Sequence, residues 1–386
     1  IDVTTATLTA TPSVAEGGNI VYTATLTNPA DTAVTVTLST GETITIAAGA
    51  TTGTVAIAAP ADDRYLDAGS VSRTIASAAG GNFESLAVNP AAATTTVTDT
   101  IDVTTATLIA TPSVAEGGTI TYTVTLGAPV TGSPVNVTLA NGQVVAIPVG
   151  ASSGTVTAIA PDDVYGGGAS VGNAIVSASG GNFESLVPNT APVTTGVTDD
   201  SDPTTVSLAA TASVVEGGTI TYTATLTNAA QTPVTVTLSN GATINIATGA
   251  TTGTATVAAP GDDAYVDAGS VSATIATATG GNFESLVVNP AAATTAVSDT
   301  IDVTTVSLSA TASVAEGGSI VYTATLTSAA DTPVTVTLST GETITIAAGG
   351  TTGSVSIAAP AEDPYIDAGS VSRTITAATG GNFESL

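Results

Sequence analysis

Ile20-Val21-Tyr22-Thr23-Ala24-Thr25-Leu26 decides the fold: Ile20, Tyr22, Ala24 and Leu26 alternate with Val21, Thr23 and Thr25, the period-two pattern of a strand with one buried face. The same alternation runs through Thr7-Leu8-Thr9-Ala10, Val34-Thr35-Val36-Thr37-Leu38 and Thr43-Ile44-Thr45-Ile46, and segments at 53–58, 70–77 and 92–98 bring the count to seven. Gly, Pro, Asn and Asp separate these runs, where turns need them. Asn141-Gly142 and Asn240-Gly241 stand where the first and fourth copies have Thr40-Gly41 and Thr340-Gly341, and they predict a tight type I′ hairpin.

This unit returns along the chain. Ile1-Asp2-Val3-Thr4-Thr5 recurs at 101–105 and 301–305 and, altered, at 201–205, and blocks such as Val14-Ala15-Glu16-Gly17-Gly18 and Gly80-Gly81-Asn82-Phe83-Glu84 keep the same spacing. A period of about 100 residues matches a self-contained sandwich, not a solenoid, whose units run to about 20–50. Seven short strands per period predict an all-β chain of tandem immunoglobulin-like antiparallel β-sandwich domains in a linear rod. The expected domains are residues 1–100, 101–200, 201–300 and 301–386, the last without the segment equivalent to 87–100 and so without its final strand. The second copy gains a residue near Thr131-Gly132-Ser133 and loses one before Asp162-Asp163, so loops absorb the length changes. The core is expected to be aliphatic, with Tyr22, Tyr65 and Phe83 as its largest side chains.

Thirty-one acidic residues face three basic ones, Arg64, Arg73 and Arg373, for a formal charge of -28. Such a field repels nucleic acid and anionic membranes. There is no Lys, His, Cys, Met or Trp, which removes disulfides, zinc or iron ligation by soft side chains, and Ser-His or Cys-His nucleophile pairs. Lack of cysteine fits a bacterial surface protein exported unfolded. No stretch approaches the ~20 apolar residues that span a bilayer, and the chain reads as an interior slice of something longer.

With the strands lettered A to G and reversing at each turn, the AB loop, the EF loop and the end of strand G share one pole. That pole gathers Glu16 from AB, Asp62, Asp63 and Asp67 from EF, Asp99 at the end of G and Asp102 in the linker. The set returns as Glu116, Asp162, Asp163, Asp199 and Asp202, then as Glu216, Asp262, Asp263, Asp267, Asp299 and Asp302. In the fourth copy it is Glu316, Asp363 and Asp367, with Glu362 opening the acidic pair. Gly167 takes the place of Asp67 in the second copy, so that joint loses a ligand or recruits Asp200. The FG-loop glutamates Glu84, Glu184, Glu284 and Glu384 lie at the opposite pole, facing the preceding repeat's joint, and are additional candidates.

Carboxylates gathered this closely repel one another unless a cation lies among them. An all-oxygen set suits Ca2+, which accepts irregular geometry, better than Mg2+ or Zn2+. Acidic loop residues more commonly serve solubility or turns, but charge is scarce in this chain and concentrated at repeated positions that the topology brings together. An alternative is a carbohydrate- or protein-binding immunoglobulin-like module using loops such as Asn28-Pro29-Ala30-Asp31, although sugar platforms usually need exposed aromatics. Thr-x-Thr patterns such as Thr35-Val36-Thr37 could suggest an ice-binding array, but β-propensity on a twisted sheet explains them. Asp62-Asp63 is a poor glycosidase pair, lacking two distinct environments across a cleft, and the chain is not read as an enzyme.

Val14-Ala15-Glu16-Gly17-Gly18 with Asp62-Asp63 resembles Calx-beta-like calcium modules. Thr5 through Gly18, together with Gly80-Gly81-Asn82-Phe83-Glu84, more closely resembles the extender repeats of giant bacterial RTX-type adhesins, and that resemblance covers the whole chain. It implies calcium-stiffened modules in a stalk, exported by type I secretion, that project a distal adhesive region from the outer membrane for attachment or biofilm formation. The implied partners are calcium ions and neighbouring repeats of the same chain, in a monomeric rod with neither nucleic acid nor membrane insertion. The Gly-Gly-x-Gly-x-Asp nonapeptides of RTX calcium rolls are absent. A module of strands rising ~3.3 Å per residue should extend about 40 Å, and four on the order of 150 Å. Weak extracellular calcium sites, at ~0.1–1 mM, would keep the chain unfolded before export and lock it outside.

Overall fold

The computed structural model describes residues 1–366 and 369–386, and every regular element among them is a β-strand. The first repeat runs β1 (Val3–Ala10), β2 (Ser13–Ala15), β3 (Asn19–Leu26), β4 (Val34–Leu38), β5 (Thr43–Ile46), β6 (Thr52–Ala58), β7 (Gly69–Arg73), β8 (Ile75–Gly80), β9 (Ser85–Val88) and β10 (Ala93–Thr98). One layer has the order β6-β3-β1-β9; the other combines β2-β10-β7 with β5-β4-β8, since β7 and β8 are one run of chain broken only at Thr74. The period-two reading holds residue by residue, with Ile20, Tyr22, Ala24 and Leu26 of β3 and Val34, Val36 and Leu38 of β4 all buried. They close on one cluster with Leu8, Ile44 and Ile46, and equivalent clusters surround Tyr122, Tyr222 and Tyr322. The chain is a tandem array of β-sandwiches.

Ten strands replace the expected seven, and pairing is not purely antiparallel. β1 runs antiparallel to β3 but parallel to β9, and β2 runs parallel to β10. The first strand therefore changes sheets. Its exit is chemical: the Thr11 hydroxyl accepts the Val21 N–H at 3.1 Å, taking a ladder position from the backbone, and the chain crosses to let Pro12 O accept the Thr96 N–H at 3.0 Å. Thr111, Thr211 and Thr311 repeat the device.

The β4–β5 hairpin is also not the type I′ turn expected. Leu38 N–H donates to Glu42 O at 2.8 Å and Gly41 N–H to Leu38 O at 3.0 Å, so three residues form the loop, and only the glycine adopts positive φ, at 100°. The same holds at Gly142 and Gly241, while Asn141 and Asn240 stay out of the left-handed region. That is the three-residue hairpin with a glycine bulge.

Two compact units are present, residues 1–162 with 167–199, and residues 163–166 with 200–386. Each holds two of the four clusters. In the fourth repeat, 313–315 and the described residues 369–373 form no strands. Their counterparts in the first repeat, β2 and β7, pair with β10.

Candidate metal centre

Main-chain bonds draw the acidic loops to one pole. Glu16 N–H donates to Thr98 O at 3.0 Å and Gly17 N–H to Pro60 O at 2.7 Å, while Ala59 N–H donates to Gly18 O at 2.9 Å. The Glu-Gly-Gly sequence is required by this turn. Gly17 has φ +68°, and a Cβ on Gly18 would lie 2.6 Å from the Val14 side chain and 2.9 Å from Ala15 O, so only glycine fits comfortably. The result sets Glu16 into the pole at 6% exposure.

In the first unit, ligand oxygens of Glu16, Asp99 and Glu184 lie within 4.8 Å of one another. Each residue has a buried oxygen with no hydrogen-bond partner among the described residues, namely Glu16 Oε2, Asp99 Oδ1 and Glu184 Oε1. The Asp67 carboxyl hydrogen-bonds Glu16 and, with burial and the charges of Asp67, Asp99 and Asp63, pushes the Glu16 carboxyl from 4.5 up to about 7. Two carboxylates can share such a bond only through a proton. Asp62 Oδ1 accepts the Thr100 hydroxyl, and Asp63 Oδ1 caps the Tyr65 N–H at 2.8 Å. Asp102 enters through its backbone, whose N–H donates to Glu184 Oε2 at 2.6 Å.

The second unit holds a related set, with Asp267 of the same repeat in the place that Glu184 takes in the first. Ligand oxygens of Glu216, 5% exposed, Asp267 and Asp299 lie within 4.8 Å of one another, and Glu216 Oε2, Asp299 Oδ1 and Glu384 Oε1 are buried without hydrogen-bond partners among the described residues. Glu216 is likewise pushed up to about 7, first by its hydrogen bond with Asp267, then by burial. Thr300 donates to Asp262, Tyr265 N–H to Asp263 at 2.9 Å, and Asp302 N–H to Glu384 Oε2 at 2.6 Å.

The remaining candidates are placed as follows. Glu116 is buried, its N–H on Thr198 O at 3.0 Å, and Asp162 packs beside Gly117. Asp199 Oδ2 accepts the N–H of Gly167 at 2.7 Å, so the residue replacing the third aspartate offers a backbone donor in its stead. Within the second unit, Asp163 caps the Tyr165 N–H at 2.7 Å and Asp202 N–H donates to Glu284 Oε2 at 2.7 Å. Glu316 is half-buried and Asp363 caps the Tyr365 N–H at 2.8 Å. Asp367 lies outside the described residues.

Buried carboxylate oxygens without donors are costly, and a cation or a proton relieves them. The donors are all oxygen, which suits a hard cation. A pH dependence follows. Glu16 and Glu216 hold a proton up to about 7 when folded but only to 4.5 as free carboxyls, so across that window the folded state binds more protons and loses stability as pH rises. Metal-stripped protein should therefore melt higher at about pH 5 than at about pH 8 through these groups. The Glu16→Gln, Glu216→Gln double variant, compared by calorimetry, should lack that component.

A second contact was not legible in the sequence. Tyr65 and Phe83, expected in one core, belong to different partnerships: Tyr65 stacks on Phe183 of the next repeat, ring centroids 5.5 Å apart and 27° between planes. Tyr165 on Phe283 and Tyr265 on Phe383 repeat it at 5.7 Å. Tyr65 pairs with Phe183 as an isolated antiparallel bridge, and its hydroxyl donates to Pro129 O at 2.7 Å. Tyr365, with no following repeat in this sequence, is 75% exposed. The available signal was a Tyr recurring two residues after an aspartate in each EF loop, outside the alternating strand runs.

The model of the LapA domain family matches residues 2–100, 102–200, 202–300 and 302–386. The chain belongs to the LapA domain family. LapA is a large adhesin of biofilm formation. No curated protein matches these LapA domains. Among solved structures, the native conformation of E. coli alpha-2-macroglobulin aligns at 12% identity and TM-score 0.21, covering 96% of this chain but 30% of that one, a likeness too low to carry any argument. No helix is long and apolar enough to cross a membrane among the described residues of these LapA domains.

Proposed function

We propose that this chain is a stalk segment of a bacterial surface adhesin of the RTX type, and that calcium bound at the carboxylate poles stiffens it. The observation that carries the proposal is the approach of carboxylate oxygens of Glu16, Asp99 and Glu184 to within 4.8 Å of one another, with Glu184 supplied by the following repeat, and each of the three residues has a buried oxygen without a hydrogen-bond partner among the described residues. A cation there would tie two repeats together. Glu16, Asp99 and Glu184 would hold it in the first unit, with Asp67 adjacent; Glu216, Asp267 and Asp299 would do so in the second, near Glu384. The ion supplies charge compensation, and the protein supplies a preformed, half-buried oxygen set.

On this reading, residues 1–100, 101–200, 201–300 and 301–386 are separate folding domains whose repetition serves reach. Membership among adhesin repeats, the all-β fold and the missing nucleophile chemistry support a structural role without catalysis. Export by type I secretion and projection of a distal adhesive region from the outer membrane complete the proposal, with calcium and neighbouring repeats as partners of a monomeric chain. X-ray scattering on metal-stripped protein, then on the same sample with millimolar calcium, tests it. The maximum dimension should become larger and better defined, and an unchanged profile would refute calcium stiffening.

A further inference from the structure

Resting on the cation reading above, the geometry points to the Tyr–Phe clasp as the device that positions the carboxylate pocket, so that docking of consecutive repeats and cation binding are one linked event. Phe183 and Glu184 are adjacent, so whatever holds the ring also places the carboxylate. The hold is tight on the backbone: Leu66 N–H donates to Asn182 O at 2.9 Å and Glu184 N–H to Arg64 O at 3.1 Å, while Asn182 Nδ2 returns a bond to Leu66 O at 2.9 Å. The Tyr65 ring covers Phe183 in an offset stack, an attractive geometry for aromatic pairs. Glu184 Oε2 is fixed by Asp102 N–H, Oε1 is buried and without a hydrogen-bond partner among the described residues, and the carboxylate brings an oxygen within 4.8 Å of those of Glu16 and Asp99.

The gripping loop is also the ligand loop. Tyr65 sits between Asp63, which caps its N–H, and Asp67, which hydrogen-bonds Glu16. The same parts recur in the second unit: Val266 N–H to Asn382 O at 3.0 Å, Glu384 N–H to Ala264 O at 3.2 Å, and the Tyr265 hydroxyl to Ala329 O at 2.6 Å. The Tyr65 and Tyr265 hydroxyls donate to Pro129 O and Ala329 O and, among the described residues, to no carboxylate, so they are positioning residues. Linkage then demands reciprocity: whatever the clasp adds to cation affinity, the cation returns to the clasp.

The test is calorimetric titration of the full chain with calcium at about pH 7.5, using Tyr65→Ala with Tyr265→Ala, Tyr65→Phe with Tyr265→Phe, and Tyr365→Ala. Supporting residues beyond the ligands typically shift metal affinity about 10–100-fold. The double Ala variant should therefore lose at least about tenfold in affinity at the two affected joints, the double Phe variant should stay within about threefold, and Tyr365→Ala should match the parent. Because Tyr65 lies outside its own repeat's core, circular dichroism should show the Ala variant folded. Parent-like affinity in the double Ala variant overturns the inference, and equal loss in the Phe variant overturns its assignment to the ring stack. Absence of calcium uptake by the parent overturns the cation reading itself, a distinguishable result.

Discussion

Tyr222→Ala is expected to lower the melting temperature of the third repeat steeply while its neighbours melt near their parent temperatures. Tyr222 is fully buried on the Thr219–Leu226 strand, its ring inside the cluster of Ile220, Val236, Leu238 and Ile244. Its backbone pairs with Ala210 on one side and Ala255 on the other, so small residues flank the ring and cannot expand into the space left behind. Removing a large buried aromatic costs about 3–5 kcal/mol through lost burial and the cavity. For a sandwich of this size that lowers the melting temperature on the order of 15–30 °C. Calorimetry should resolve one displaced transition, and a uniform shift of the whole profile would show that the repeats do not fold separately.

Tyr222→Phe should behave in the opposite way. The Tyr222 hydroxyl is buried with no hydrogen-bond partner among the described residues, so its removal leaves packing intact and relieves an unsatisfied donor. A change between zero and about 1 kcal/mol of added stability is expected. Destabilisation comparable to the alanine variant would mean that the hydroxyl has a partner in solution.

The Glu16→Gln, Glu216→Gln double variant should separate metal-free stability from calcium-dependent stability. At about pH 7.5 the metal-free variant is expected to melt above the parent, because a neutral amide relieves the repulsion that Asp67, Asp99 and Asp63 exert on Glu16 and that Asp267, Asp299 and Asp263 exert on Glu216. Calcium reverses the order. With sites of ~0.1–1 mM affinity, ~10 mM calcium should raise the first and third repeats of the parent by roughly 5–15 °C and leave those of the variant nearly unmoved. Calorimetric scans of both proteins in both conditions check this. Equal calcium responses would remove Glu16 and Glu216 from the ligand set.

Much of the candidate site is legible in the sequence. The shared pole of Glu16 and Asp99 was expected from seven reversing strands, whereas the structure brings them together through β2 running parallel to β10 and the Glu16 N–H bond to Thr98 O. The Glu-Gly-Gly turn could be noticed but not explained, since its reason is the closeness of Gly18 to Val14. Glu184 ranked only as an additional candidate, and the structure makes it a member of the first group.

The sequence by itself determined which face of each strand is buried, because side-chain alternation is a local property with a period of two residues. It also determined that similar sandwiches follow one another and that acidic residues recur at the same loop positions. The crossing of the first strand between sheets, the parallel pairing of β1 with β9, and the Tyr65–Phe183 clasp were decided only by tertiary structure. Each depends on groups far apart in the chain, such as Asn182 and Leu66 at a separation of 116 residues. No local period encodes which surfaces meet at that distance. They are selected by the fit of completed sandwiches, once the backbone hydrogen bonds at their poles find partners.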